Sequence, residues 1–212
     1  MIFKDLASMR SEYDKFELNE NMLLDNPLDM FALWFEKVVS NFPDDANSMI
    51  LSTANKLGKP SARVVLLKGI EDNAFIFYTN YLSQKAKDIE ENPQVSLLFF
   101  WQAFHRQVRI EGTIEKVSRK TSEQYFNTRP LESRIGAIAS NQSEKISKEA
   151  LEKKIYSISQ KKESEIVCPQ HWGGFAVNPL LIEFWQGRPS RIHDRICYEK
   201  INETWSHYRL SP

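Results

Sequence analysis

Only two cysteines, Cys168 and Cys197, occur in 212 residues, and neither belongs to a CxxC pair. The four histidines are scattered, so no stretch carries the ligand spacing of a zinc or other metal centre. Two lone thiols read as free cysteines in a reducing cytoplasm. Long apolar runs are also missing: none approaches the roughly 20 residues of a membrane-spanning helix. The opening Met1-Ile2-Phe3-Lys4-Asp5 is charged at once and leaves no apolar core for a secretory signal. The expectation is a soluble cytoplasmic protein with no membrane partner. Net charge is absent too, with 28 basic and 28 acidic residues. That balance argues against a surface basic throughout, and so against a nucleic-acid partner, while leaving room for a small cationic pocket. There is no internal repeat and no low-complexity segment.

What is present is a series of short β-like runs with helices between them. Residues 1–25 are polar, with a weak helical pattern around Leu6, Met9 and Tyr13, and read as a mobile arm. Residues 26–212 read as one domain. A chain of this length buries roughly 70% of its unfolded surface and needs no staple. Asn26-Pro27 starts a helix, because asparagine caps free N–H groups and proline is tolerated at the first helical position. The apolar stripe Leu28, Phe31, Leu33, Trp34, Phe35 and Val38 carries that helix to about Ser40. Strands are expected at Ser48–Ala54, Ala62–Ile70 and Ala74–Thr79, joined by turn-forming segments. A short helix from Ser83 to Glu91 stops at Asn92-Pro93. Two more strands follow, Val95–Trp101 and Arg106–Val117, then helices at Thr121–Thr128, ended by Pro130, and at Ser147–Lys162. The charged face of the latter helix reads as solvated surface. Strands at Leu180–Gln186, Arg191–Glu199 and Thr204–Leu210 close the chain. The pattern predicts an all-β barrel or sandwich with helices packed outside.

Several constellations point to an anionic, planar ligand. On a strand over 191–195, Arg191, His193 and Arg195 share one face, where three potentially cationic groups repel unless an anion lies over them. Arginine suits that task because its planar fork matches phosphate oxygens and stacks on rings. The bland alternative is a solvent-facing strand with acidic neighbours. Arg63 and Lys68 bracket an apolar run and, five residues apart, point to opposite faces; an ordinary strand with charged ends looks the same. Tyr78-Thr79-Asn80 leads through Ser83 and Lys85 into a helix N-terminus, which can hold a phosphate or simply be a capped helix. No GxGxxG or GxxxxGK is nearby, which excludes Rossmann and P-loop cradles. Tyr125, Arg129 and Ser133 are spaced four apart, the donors expected around a phosphate monoester or else surface decoration. Trp172-Gly173-Gly174-Phe175 marks either a close backbone passage or a plain turn.

The stretch Ile182–Arg195 contains an EFWQ core, four further residues and RIHDR. It resembles the signature of the pyridoxamine 5′-phosphate oxidase family. Arg10-Ser11-Glu12-Tyr13, RVVLLK, YTN, Arg106-Gln107-Val108 and WGGF resemble further blocks of that family, in the same order, so the likeness spans nearly the whole chain. It implies an FMN-binding split β-barrel, antiparallel and Greek-key-like, working as a homodimer with the flavin at the subunit interface. It implies FMN contacts at Arg63, Val64, Val65, Leu66, Leu67, Lys68, Tyr78, Thr79, Gln84, Lys85, Gln107, Gln142, Ser143, Trp185 and Arg195. Substrate contacts are implied at Arg10, Ser11, Glu12, Tyr13, Lys68, Tyr125, Arg129, Ser133, Arg191, Ile192 and His193. Gln84 stands where the family usually has arginine, which implies weaker FMN binding unless another cation compensates.

The implied reaction is oxidation of pyridoxamine 5′-phosphate or pyridoxine 5′-phosphate by O2 to pyridoxal 5′-phosphate and hydrogen peroxide. The flavin carries the redox chemistry and the protein orients the reactants. Arg191 and His193 are the expected catalytic residues, positioning the reacting carbon and handling its proton. Two rivals stay open: another flavin split-barrel reductase, and a non-catalytic FMN or pyridoxal phosphate carrier.

Overall fold

The computed structural model describes Tyr13, Asp14 and residues 16–212. The expected contacts Arg10, Ser11 and Glu12 lie outside the described residues. Helix α1 runs Pro27–Asn41, and the Asn26 side chain accepts a hydrogen bond from the Leu28 N–H, as the Asn-Pro signal predicts. Strands β1 (Ser48–Ala54), β2 (Pro60–Leu66), β3 (Gly69–Glu71) and β4 (Ala74–Asn80) follow, then helix α2 (Gln84–Glu91). Strands β5 (Gln94–Trp101) and β6 (Arg106–Lys116) precede helices α3 (Arg119–Thr128), α4 (Leu131–Ala139) and α5 (Lys148–Ser159). Strands β7 (Trp172–Gln186), β8 (Asp194–Ile201) and β9 (Thr204–Arg209) end the chain. The sheet order is β2-β1-β5-β6-β7-β4-β3, and β8 pairs with both β7 and β9. The fold is mainly antiparallel sheet with flanking helices.

Two hairpins have two-residue turns. Asp72 and Asn73 take φ of 50° and 64° between the paired Glu71 and Ala74. Asn202 and Glu203 take 48° and 65° between Ile201 and Thr204. Left-handed values at both central positions are those of a type I′ turn, whose twist matches the strands it joins.

Contacts divide the chain into two compact units. The first holds the chain up to Ala46, Leu98–Ile110 and Leu180–Pro212. Its core sets α1 against strand aromatics: Phe31 meets Phe99 at 5.0 Å, Trp34 meets Phe184 at 5.2 Å, and Phe184 meets Tyr198 at 5.7 Å. Within it the segment from Phe16 to Leu24 is tied to the C-terminal strands. Leu18 N–H donates to Asp194, Arg209 donates to the Leu18 carbonyl, and Tyr198 Oη donates to the Leu24 carbonyl. The second unit holds Asn47–Leu97 and Glu111–Pro179. Its core is β4, where Ala74, Phe75, Ile76 and Phe77 are all buried, with Phe175 and Val177 opposite on β7.

The structure departs from the sequence reading at four places. The run expected as one strand over 62–70 is two, β2 and β3. Leu67 N–H donates to the Asn47 carbonyl and Lys68 N–H to the Ile76 carbonyl, so the chain changes partners there. Pro130 ends α3 as expected, but also heads α4, since proline costs nothing where no helical donor is needed. Strand β7 begins at Trp172 rather than Leu180 and runs through Gly173 and Gly174. Finally, β8 starts at Asp194, while Arg191 closes a short 3-10 turn, Pro189–Arg191. Ser190 and Arg191 have φ of 58° and 61°. The strand alternation expected to place Arg191, His193 and Arg195 on one face therefore does not exist.

Candidate active site

A cavity of about 700 Å3 opens in the second unit. It gathers Arg63, Val64, Val65, Leu66 and Lys68 from β2 and its exit, and Tyr78 and Thr79 from β4. Gln84 and Lys85 of α2, Tyr125 and Arg129 at the end of α3, and Gln142 and Ser143 also line it. Segments far apart in sequence thus supply one wall set. Leu67 does not line the cavity: its side chain is buried. Ser133, exposed on the first turn of α4, does not line it either.

Cations and their acceptors organise one part of the lining. Arg63 donates to the Leu51 carbonyl, Thr53 and Ser61, and lies 3.8 Å from the Asp88 carboxylate. Asp88 is buried and also accepts from Thr53 and from the Gln84 amide at 2.8 Å. Lys85 Nζ donates to Thr79, Ser83 and Gln142 at 3.1–3.2 Å. One ammonium thereby joins β4, the start of α2 and the 140–143 loop. Burial, then the nearby Arg63 charge, push its pKa down to about 8. Ser143 sits at φ 76° and its hydroxyl accepts the Gln84 N–H.

Aromatic rings organise the other part. Tyr125 stacks on Tyr78 at 3.8 Å and 16°, and Trp172 lies parallel to both. The Arg129 guanidinium sits 4.7 Å above the Trp172 ring, and its Nη1 is buried with no hydrogen-bond partner. A buried donor without a partner is costly and fits an anion that would complete it. Burial pushes the Tyr78 hydroxyl up to about 12, so it stays protonated. Glycine enables this wall by close approach, not by positive φ. A Cβ on Gly174 would meet the Tyr78 ring at 2.8 Å, and one on Gly173 the Tyr81 hydroxyl at 2.2 Å.

The remaining expected residues belong to the first unit. Trp185 and His193 lie 4.6 Å apart, with the Tyr13 ring edge-on to both at 5.9 and 5.7 Å. The Arg188 N–H donates to His193 Nδ1 at 3.1 Å. The neutral imidazole then carries its proton on Nε2. Burial, then Arg191, lower the His193 pKa, with Asp194 opposing. Ile192 is exposed, and Gln107 is half-buried on β6. Arg195 is not a free cation: it pairs bidentately with buried Glu183 at 2.8 and 3.2 Å, and Arg109 reaches the same carboxylate at 2.7 Å.

Sequence reasoning missed Ser61, Ala62, Asn80, Ala137, Ser140 and Trp172 as cavity residues. Asn80 had a signal, being the third residue of YTN. Its amide donates to the Ser140 carbonyl and holds the 140–143 loop to β4. Trp172 had one as well, its place beside two glycines. Among the described residues no group of three or more His, Cys, Asp or Glu is placed to hold a metal, and no helix is long and apolar enough to cross a membrane.

Comparison with known proteins gives the class first. The chain superposes on PhzG from Burkholderia lata, solved with tetrahydrophenazine-1-carboxylic acid, with a TM-score of 0.86 over 95% of this chain and 100% of that one, at 23% identity. It also superposes on a pyridoxamine 5′-phosphate oxidase-related, FMN-binding protein of Nostoc punctiforme, with a TM-score of 0.73 over 90% and 100%, at 17% identity. The fold is that of the FMN-binding split barrels. Residues 35–162 match the family model for pyridoxamine 5′-phosphate oxidase, and residues 172–212 match the pyridoxine 5′-phosphate oxidase C-terminal dimerisation region. Pyridoxine/pyridoxamine 5′-phosphate oxidases of Leptospira biflexa and Bordetella pertussis are 50% and 47% identical to it, over 98% of this chain and 99% of theirs. The chain belongs to the pyridoxamine 5′-phosphate oxidase family. Membership supports an oxidoreductase, and the matched dimerisation region supports a homodimer.

Proposed function

We propose that the protein oxidises pyridoxamine 5′-phosphate and pyridoxine 5′-phosphate to pyridoxal 5′-phosphate, with FMN as its cofactor. The amine reaction consumes O2 and water and releases ammonia and hydrogen peroxide; the alcohol reaction consumes O2 and releases hydrogen peroxide. The observation that carries this reading is the lining of one cavity by two donor sets. Arg63, Lys85, Gln84 and Ser143 form one, and Tyr125 with the unpartnered Nη1 of Arg129 forms the other. Two phosphorylated, planar molecules, cofactor and substrate, match two such sets.

FMN, when bound, supplies a hydride acceptor at its N5 and passes the electrons on to oxygen. The protein's part is positioning. Arg63, the β2 backbone, Lys85 and Gln142 would hold the flavin, while Lys68, Tyr125 and Arg129 would hold the substrate phosphate. Homodimer formation would bring Gln107, Trp185 and Arg195 to the flavin. Arg191 and His193 would hold the reacting carbon, with His193 offering its Nε2–H because Nδ1 already accepts from Arg188. The localisation proposed is cytoplasmic.

The test loads purified protein with FMN, adds pyridoxamine 5′-phosphate in air, and follows aldehyde and peroxide together. Equal appearance of both is expected. Flavin that stays bound with no product would reject the oxidase and favour a carrier. Bleaching by reduced nicotinamide faster than by the amine would favour another flavin reductase.

A further inference from the structure

Trp172 has no part in the roles assigned so far, yet it is the residue on which the anion-binding end of the cavity is built. It opens β7, paired in register with Asn80 of β4. Its side chain is buried to 5% exposure and still lines the cavity. The backbone is fixed on both sides: its N–H donates to the Pro169 carbonyl at 3.1 Å, and its carbonyl accepts from Arg119 Nη1 at 3.3 Å. Arg119 also donates to the carbonyls of Pro169 and Cys168. The Phe126 ring meets the indole nearly edge-on at 5.2 Å and 72°. A ring anchored this way has little freedom to turn.

Two polar side chains lie parallel to or over its ring. Tyr125 lies within 4° of parallel at 6.2 Å, sharing the stack with Tyr78. The Arg129 guanidinium sits over the ring face at 4.7 Å. Arg129 follows the last turn of α3, where its N–H donates to the Phe126 carbonyl, so its backbone is set as well. Its Nη1 is nevertheless buried and without a partner. An arginine whose buried nitrogen has no acceptor needs another force to hold its plane in place. The negative face of an indole supplies it, most effectively where water is excluded.

We infer that Trp172 is a positioning residue for the substrate phosphate, acting through Arg129 and Tyr125. This rests on the reading that those two side chains hold that phosphate. The rival is that Trp172 only fills the cluster it shares with Phe126 and Cys168.

Trp172→Leu and Trp172→Phe, both FMN-loaded, separate the two. For Trp172→Leu the expected outcome is a rise in KM for pyridoxamine 5′-phosphate of about tenfold with kcat and FMN affinity unchanged. Trp172→Phe keeps an aromatic face and should recover most of the loss. Affinity for pyridoxal 5′-phosphate and for inorganic phosphate, read by absorbance and by competition, should fall in parallel, while unphosphorylated pyridoxal is unaffected. Unchanged phosphate affinity in folded Trp172→Leu, or equal loss of FMN and phosphate in both variants, would overturn the inference. If Trp172→Leu does not fold, site-specific fluorinated tryptophans at 172 keep the shape and weaken the ring face stepwise. Phosphate affinity should then fall with fluorine count, and a flat series would overturn the inference. A wild type that turns over no substrate would sink the oxidase reading alone, because the phosphate affinities still decide the role of Trp172.

Discussion

Ser190 and Arg191 both occupy the left-handed region, which costs a residue with a Cβ about 1–2 kcal/mol. Neither is a glycine, and strain of this kind collects where a side chain must be aimed. The cost is consistent with Arg191 serving the reaction rather than a strand. Arg191→Ala should lose most turnover while keeping FMN, measured by steady-state rate and flavin absorbance on the same sample. Near-normal turnover would remove Arg191 from catalysis. Residue identity was highly legible here: RIHDR carried the family. Its local geometry was not, because alternation along a strand requires a strand, and β8 begins only at Asp194.

At the scale of elements, Lys85 is the tie between β4, α2 and the 140–143 loop. Its pKa of about 8 arises because three neutral acceptors replace water and Arg63 adds a like charge; Asp88, the nearby carboxylate, is engaged by Arg63, Thr53 and Gln84. The lowered pKa means that the unfolded chain binds more protons between pH 8 and 10.5, so this group's contribution to stability rises across that window. Flavin binding through Lys85, as proposed, should run the other way. A phosphate favours the charged ammonium, raises its pKa, and is held best below pH 8. The FMN dissociation constant should therefore weaken as pH climbs past about 8, by at most about tenfold per unit. Lys85→Met should flatten the profile. Gln84→Arg, measured in the same titrations, should bind FMN more tightly at every pH. A wild-type profile already flat would reject the role of Lys85. Helix α1 and the hairpins are legible because caps and turn residues act locally; Ser83 heads α2 without a side-chain capping bond, its hydroxyl accepting from Lys85 instead. β7 was shortened in the reading because Gly-Gly usually marks a turn, whereas here the glycines make room for Tyr78 and Tyr81 across the sheet.

At the scale of the molecule, residues 172–212 match a dimerisation region, and Leu180, Ile192, Ile201 and Tyr208 within it are exposed. Apolar side chains of β2, Val64 and Leu66, are exposed as well, and they line the cavity. A homodimer is expected to cover much of this surface, and its stability then depends on protomer concentration. Thermal midpoints should rise with protein concentration, and further with FMN at about 100 times its dissociation constant, which adds about 2.7 kcal/mol. A midpoint independent of concentration, with a monomer mass by light scattering, would reject the dimer.

The sequence by itself determined the family, the β-rich class and the Asn26 cap of α1, because motif identity, capping and hydrophobic period are written in consecutive positions. Tertiary structure alone decided what those side chains do once assembled. It committed Arg195 to Glu183 and Gln84 to Asp88, left Arg129 Nη1 without a partner, and set Trp172 beneath it. The Gln84–Asp88 pair is an i,i+4 contact within α2, but the other two join residues 12 and 43 positions apart, and no local pattern encodes those. The long-range pairings follow from which strands pair, where the chain changes partners at Leu67 and Lys68, and which buried polar groups find a partner once the strands have paired.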